Sequence, residues 1–160
     1  MNNIIELTKH KINIANDKLR IFVLDEKGQG GAYHVYAVLI PLLNGAAFTE
    51  NSNFVDYNLN SKIIRIWPFL GFAKIVDTSE YFTVNLISFQ NGPIKEFGVN
   101  GFTHEVLLAI IEHRLECFQS GPFNNKYNQK ALEHTEEARM WLQARTVDRI
   151  IRDVEGTNKQ

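Results

Sequence analysis

The chain has 160 residues, 44% hydrophobic and 22% charged, enough to build a packed core. Its 17 Lys and Arg against 18 Asp and Glu leave a net charge of −1. That balance argues against long DNA or RNA as a partner, since such affinity comes largely from neutralising phosphates, but it allows a small anion held by a few clustered arginines. The one cysteine, Cys117, forms no internal disulfide and supplies no metal site alone. The longest apolar run, Tyr36–Leu43, is interrupted by Pro41 and is too short to span a bilayer. The opening MNNIIELTKHK lacks the charged-then-apolar order of a signal peptide, so a cytosolic location and no membrane partner are expected.

In chain order, β-branched and aromatic runs predict short strands at 11–15 (KINIA) and 19–24 (LRIFVL), with Asn16 and Asp17 as the turn between them. A glycine-rich turn at 26–32 leads to a strand within 33–43, and a polar loop, 44–60, leads to another at 62–69 (KIIRIWPF). Residues 81–89 (YFTVNLISF) complete about five strands, arranged as a meander or small antiparallel sheet. The segment 89–101, FQNGPIKEFGVNG, holds three glycines and a proline and reads as a shaped loop, the kind of place where binding groups are commonly held between rigid elements. The period then becomes helical. Residues 103–119 open with Thr103 as N-cap and Glu105 in the first turn, SGPF at 120–123 breaks the helix, and 128–154 form a longer one with Gly156 just past its end. The expected fold is α+β within one domain: a β part, 1–101, including the glycine-rich loop, and an antiparallel helical hairpin, 102–160.

Arginines are the main candidates for chemistry. On a helical wheel Leu107, Ile110, Ile111 and Phe118 form one stripe with Arg114 in its middle. A guanidinium there needs a partner: either a salt bridge within the helix or between subunits, or an anion. On the second helix, Ala131, Thr135, Ala138 and Leu142 share a face of small residues suited to close approach by a neighbouring helix, and it continues through Arg145 and Arg149. Arg139, Arg145, Arg149 and Arg152 make a basic end. The helix dipole explains Arg149 and Arg152 adequately, while Arg139 and Arg145 remain ligand candidates. Arg65 shares a strand face with Ile63, and Trp67 continues it; arginine beside an aromatic suits a base with a phosphate, and equally an edge strand. Phe89 could stack on a base or simply fill the core. Asn91 and Asn100 could read a base edge or merely favour their turns. GQGG at 28–31 has no strand–helix context for a phosphate loop, the five histidines lack zinc spacing, and no catalytic triad is apparent. No catalytic residue, metal or cofactor is therefore expected, and binding without catalysis is favoured.

FQNGPIKEFGVNG, THEVLLAIIEHRLECFQSGPF and NQKALEHTEEARMWLQARTVDR followed by VEGT resemble the helical-hairpin module of phage anti-defence sponges, the anti-Thoeris and anti-CBASS proteins. The resemblance covers about residues 86–158, and the preceding sheet looks like that of the anti-Thoeris member. It implies a non-enzymatic protein of the host cytoplasm that sequesters glycocyclic ADP-ribose, and in some members cyclic di- or trinucleotides at a separate site. It also implies a dimer or hexamer. Arg65, Phe89, Asn91, Asn100 and Arg114 are the positions it carries over. The chain departs from the pattern at Glu116, where a second basic residue is common, and at Asn125–Asn128, where Lys126 offers a phosphate a point charge rather than a bidentate fork. The rival readings are a hydrolase of the same nucleotide, with His104 or His113 as base, and a protein that caps a host complex through its basic helix end.

Overall fold

A computed structural model describes residues 5–41, 55–58, 63–66, 74–77, 82–157 and 159. It divides into two compact units, Met1–Ser88 and Phe89–Gln160.

The first unit is built on a four-stranded antiparallel sheet in the order β1–β2–β3–β7, from β1 (Ile5–Leu7), β2 (Arg20–Val23), β3 (Val35–Pro41) and β7 (Phe82–Ser88). Three further strands, β4 (Val55–Asn58), β5 (Ile63–Ile66) and β6 (Lys74–Asp77), pair as a separate antiparallel meander. The α+β order is as the sequence implies, and the described strands number seven over these two sheets. Among the described residues of this unit, Phe22, Val23, Leu24, Ala37 and Leu39 are buried and apolar, drawn from β2, its exit and β3. Full burial of such side chains is worth about 1.5–3 kcal/mol each.

The expected strand at 11–15 is a correction. Asn13 accepts the Asn16 amide at 2.9 Å and so caps a short helix, α1 (Ile14–Lys18), which also takes in the expected turn at Asn16 and Asp17. A local side-chain cap outweighs a run of alternating residues this short. β1, in turn, lies in an N-terminal segment that carries no clear strand pattern.

Across β1 and β2, Arg20 donates through Nε and Nη2 to the two carboxylate oxygens of Glu6, each at 3.1 Å, and its guanidinium lies 4.6 Å from the Phe22 ring centroid. Lys11 stands 3.6 Å from the same carboxylate. The hydrogen bonds from Arg20 hold Glu6 below its ordinary pKa of 4.5, against the opposing effect of burial. A carboxylate held low in the folded state stabilises it above the unfolded pKa, and that contribution is lost as pH falls through the folded value. Glu6→Gln should therefore flatten the acid limb of stability below pH 4.5 while costing about 1 kcal/mol at most near neutrality, because the pair is partly solvated. Denaturant midpoints measured against pH check this; equal acid slopes in the two proteins would refute it.

The second unit is a helical hairpin entered through a short helix, α2 (Ile94–Phe97). α3 (His104–Ser120) packs against α4 (Lys126–Ile151). Thr103 caps α3, accepting the Val106 amide at 3.4 Å. The N-cap of α4 is Asn125, which accepts the amides of Tyr127 and Asn128 at 3.0 and 2.9 Å, so this helix begins two residues earlier than its apolar pattern suggests. Gln119 holds the connection shut: its Oε1 accepts the Asn125 amide at 3.0 Å and its Nε2 donates to Gln129 at 2.9 Å.

The C-terminal end is a second correction. Asp153, not Gly156, is the residue that leaves α4 in the left-handed region, at φ 54°. The amides of Asp153 and Val154 close back on the carbonyls of Ile150 and Arg149 at 2.9 and 3.0 Å, a Schellman arrangement. Asp tolerates this conformation better than most side chains, so no glycine is needed at the position.

Candidate functional site

Residues 89–101 belong to the helical unit, and two primary amides give them their shape. Gln90 donates through Nε2 to the carbonyls of Gly92 and Gly98, at 3.2 and 2.9 Å, while its Oε1 accepts the Asn100 amide at 2.9 Å. Asn100 in turn accepts the Asn91 amide at 2.9 Å and donates to the Asn91 carbonyl at 2.8 Å. The loop is tied to the start of α3 by the Gln90 amide, which donates to the Phe102 carbonyl at 2.9 Å. Gly101 is required at this crossing: a Cβ there would lie 2.4 Å from the Phe89 carbonyl carbon. Gly92 is required for two reasons, a φ of 83° and the Phe97 ring, which a Cβ would meet at 2.6 Å.

This network separates the loop candidates. The carboxamide of Asn100 is spent on the backbone of Asn91, so it acts as a staple. The carboxamide of Asn91 is exposed and has no partner among the described residues, leaving it available to a ligand. The half-buried Phe89 ring lies against His104, with centroids 5.1 Å apart and planes tilted by 31°.

α3 is apolar on two faces. Leu108, Glu112, Leu115 and Gln119 turn toward α4 and are at least half-buried, whereas Ile110 is 61% and Ile111 is 47% exposed outside that stripe. Arg114 stands on that outer face with its guanidinium 5.1 Å from the Phe118 ring centroid, and no carboxylate pairs with it among the described residues. The intrahelical salt bridge considered from sequence is thus absent. An exposed cation over an aromatic ring, flanked by isoleucines, is suited to a flat anionic group.

The arginines of α4 are already engaged. Arg139 donates through Nε to both oxygens of Glu112, at 2.7 and 2.8 Å, and through Nη1 to Gln143 at 3.1 Å. Glu112 is only 7% exposed, so this pair lies in the seam of the hairpin and holds the two helices together. Arg145 is exposed and reaches Glu105 at 4.0 Å, at the edge of the seam. Arg149 is bound to residues beyond the helix end. On the small-residue face, Thr135 and Leu142 are half-buried with Leu132 in the seam, while Ala131 and Ala138 are exposed. Lys126 lies 5.1 Å from the Tyr127 ring centroid at the exposed start of α4. Arg65 occupies β5 of the other unit, in register with Asp56 on β4 and Ile75 on β6; Trp67 lies outside the described residues.

Sequence reasoning missed Gln90 and Glu112. The signal for Glu112 is a single acid within the Leu108–Leu115 stripe facing a single arginine within Leu132–Leu142, and it becomes visible only once the hairpin register is known. Among the described residues no group of three or more His, Cys, Asp or Glu could hold a metal, and no helix is long and apolar enough to cross a membrane.

The second unit is thus an antiparallel helical hairpin introduced by an amide-stapled loop, with an arginine on its outer apolar face that pairs with no carboxylate among the described residues. Residues 83–147 match the family described as Acb2/Tad1, hairpin domain. It is also 42% identical over 101 residues to Thoeris anti-defense 1 of Bacillus phage SBSphiJ7, an alignment that spans 63% of this chain and 63% of that relative.

Proposed function

We propose that this protein is a non-enzymatic sponge of phage origin that acts in the host cytoplasm, sequestering a glycocyclic ADP-ribose immune signal and so silencing an anti-phage defence of the Thoeris type. The observation that carries the reading is Arg114: a guanidinium without a carboxylate partner among the described residues, set over Phe118 on an exposed apolar face, in a chain 42% identical over 101 residues to an anti-Thoeris protein. Arginine fits a pyrophosphate bidentately, and Asn91 and Phe89 in the stapled loop supply a base-edge partner and a stacking ring. Arg65 is a further candidate for the signal's phosphates. Lys126 beside Tyr127 suits a cyclic di- or trinucleotide at a separate site, whereas Arg139 and Arg145 serve the hairpin first.

The outer faces support self-association into a dimer or hexamer. Besides Ile110 and Ile111, α4 exposes Met140, Trp141, Val147 and Ile151, the last 78% accessible. Apolar surface of that extent is normally covered by a partner, and a second copy would exclude water from a ligand held at Arg114 and slow its release.

A hydrolase of the same signal is the second reading, because His104 lies beside Phe89 at the loop. Thermal melting against glycocyclic ADP-ribose isomers, linear ADP-ribose and cyclic oligonucleotides tests binding. A ligand at about 100 times its Kd should add about 2.7 kcal/mol of stability. Unchanged melting with every nucleotide would overturn the sponge and the hydrolase together.

A further inference from the structure

The described residues beyond α4 fold back on its C-terminal end. Arg149 donates through Nε to Glu155 at 2.9 Å, through Nη2 to the carbonyls of Val154 and Thr157 at 2.9 and 2.8 Å, and through Nη1 to the Lys159 carbonyl at 3.1 Å. One guanidinium thereby folds the tail back on the helix end, after the reversal at Asp153. Thr157 tightens the curl, donating from its hydroxyl to the Val154 carbonyl at 2.7 Å.

What the curl delivers is the carbonyl of Gly156, which accepts the Lys95 amide at 3.2 Å. Lys95 is in the first turn of α2, whose N-cap is Pro93, a residue with no side chain able to cap. First-turn amides have no partner inside their own helix. The tail therefore supplies from outside the cap that α2 lacks. Gly156 suits the role: its φ is 72°, and a Cβ there would lie 3.1 Å from the Lys95 Cγ. The amide staples of Gln90 and Asn100 bind the loop to itself, whereas the Gly156 contact ties it to the far end of α4.

We propose that Arg149 is a positioning residue: by holding the 154–157 curl against Lys95 it keeps α2, and with it the 89–101 loop, in its binding geometry, and so slows ligand release. The link to release rests on the reading of that loop as part of the nucleotide site. Arg149 touches no ligand in this scheme and acts only through the tail. A guanidinium is needed, since a lysine cannot direct donors to four acceptors in these directions.

The experiment compares amide exchange, residue by residue, in the unaltered chain, Arg149→Ala, Arg149→Lys, Gly156→Ala and a chain ended after Asp153. In all four variants the Lys95 amide should exchange about tenfold faster, the scale of one lost hydrogen bond, while the Leu132 and Leu142 amides in the seam change less than about twofold. The off-rate of glycocyclic ADP-ribose should rise by a similar factor with an on-rate nearly unchanged. Unaltered Lys95 protection after removal of the tail would overturn the proposal, as would equal acceleration in the seam, which marks general loosening. An unchanged off-rate despite a freed Lys95 would overturn the role in release. If the unaltered chain binds none of the nucleotides, the functional reading fails, and the exchange comparison alone still decides whether the tail holds the loop.

Discussion

Glu112→Ala is expected to destabilise the helical hairpin by about 3–5 kcal/mol, because it strands the Arg139 guanidinium in the seam without its carboxylate. Glu112 is 7% exposed and receives the Arg139 Nε on both oxygens, so water replaces little of what is lost. The hairpin has few means of absorbing such a loss, since Leu132, also 7% exposed, is its one buried apolar residue among those described. Removing both charges should behave differently. Glu112→Leu with Arg139→Leu replaces the pair with apolar side chains and should recover most of the stability, since a buried ion pair rarely outperforms good apolar packing. Urea unfolding followed by circular dichroism separates these cases. A loss below about 1 kcal/mol in Glu112→Ala would show the pair to be no more than a surface bridge.

Arg114→Ala should leave that stability intact and weaken nucleotide binding by about 100-fold, the scale of truncating one partner of a desolvated charge pair. Arg114 lies on the outer face of α3 and pairs with no carboxylate among the described residues, so the fold does not depend on its charge. Arg114→Lys should fall between the two, keeping the charge and losing the fork. Titration calorimetry on proteins of matched melting temperature is the check. Affinity within about threefold of the unaltered chain would place the phosphate contact elsewhere, with Arg65 as the next arginine to replace.

Much of this architecture was readable from residue patterns, for definite reasons. Thr103 ahead of an apolar 3.6-residue period defines α3, and the glycines at 92, 98 and 101 mark a shaped loop. Two of the misreadings share one cause: side-chain amides capping the backbone. Asn13 turns a strand-like run into α1, and Asn125 starts α4 early. Strands as short as β1 and β6, with three and four residues, carry too little alternation to stand out without their partners. Three arginines within the second helix and Arg152 at its C-cap look alike in sequence. Structure assigns Arg139 to a buried carboxylate, Arg149 to the tail and Arg152 to Asp148 at 2.7 Å, with Arg145 reaching toward Glu105. Arg114 was legible as anomalous because it interrupts an apolar stripe, but its lack of a carboxylate partner among the described residues depends on three-dimensional neighbours.

The decisive measurement is the chemical identity of the nucleotide recovered after glycocyclic ADP-ribose is bound, the free ligand removed and the protein unfolded by heat. A sponge returns the cyclic molecule intact, in proportion to the protein present and still able to activate its sensor. Recovery of linear ADP-ribose or smaller fragments would contradict sequestration and make the protein a hydrolase.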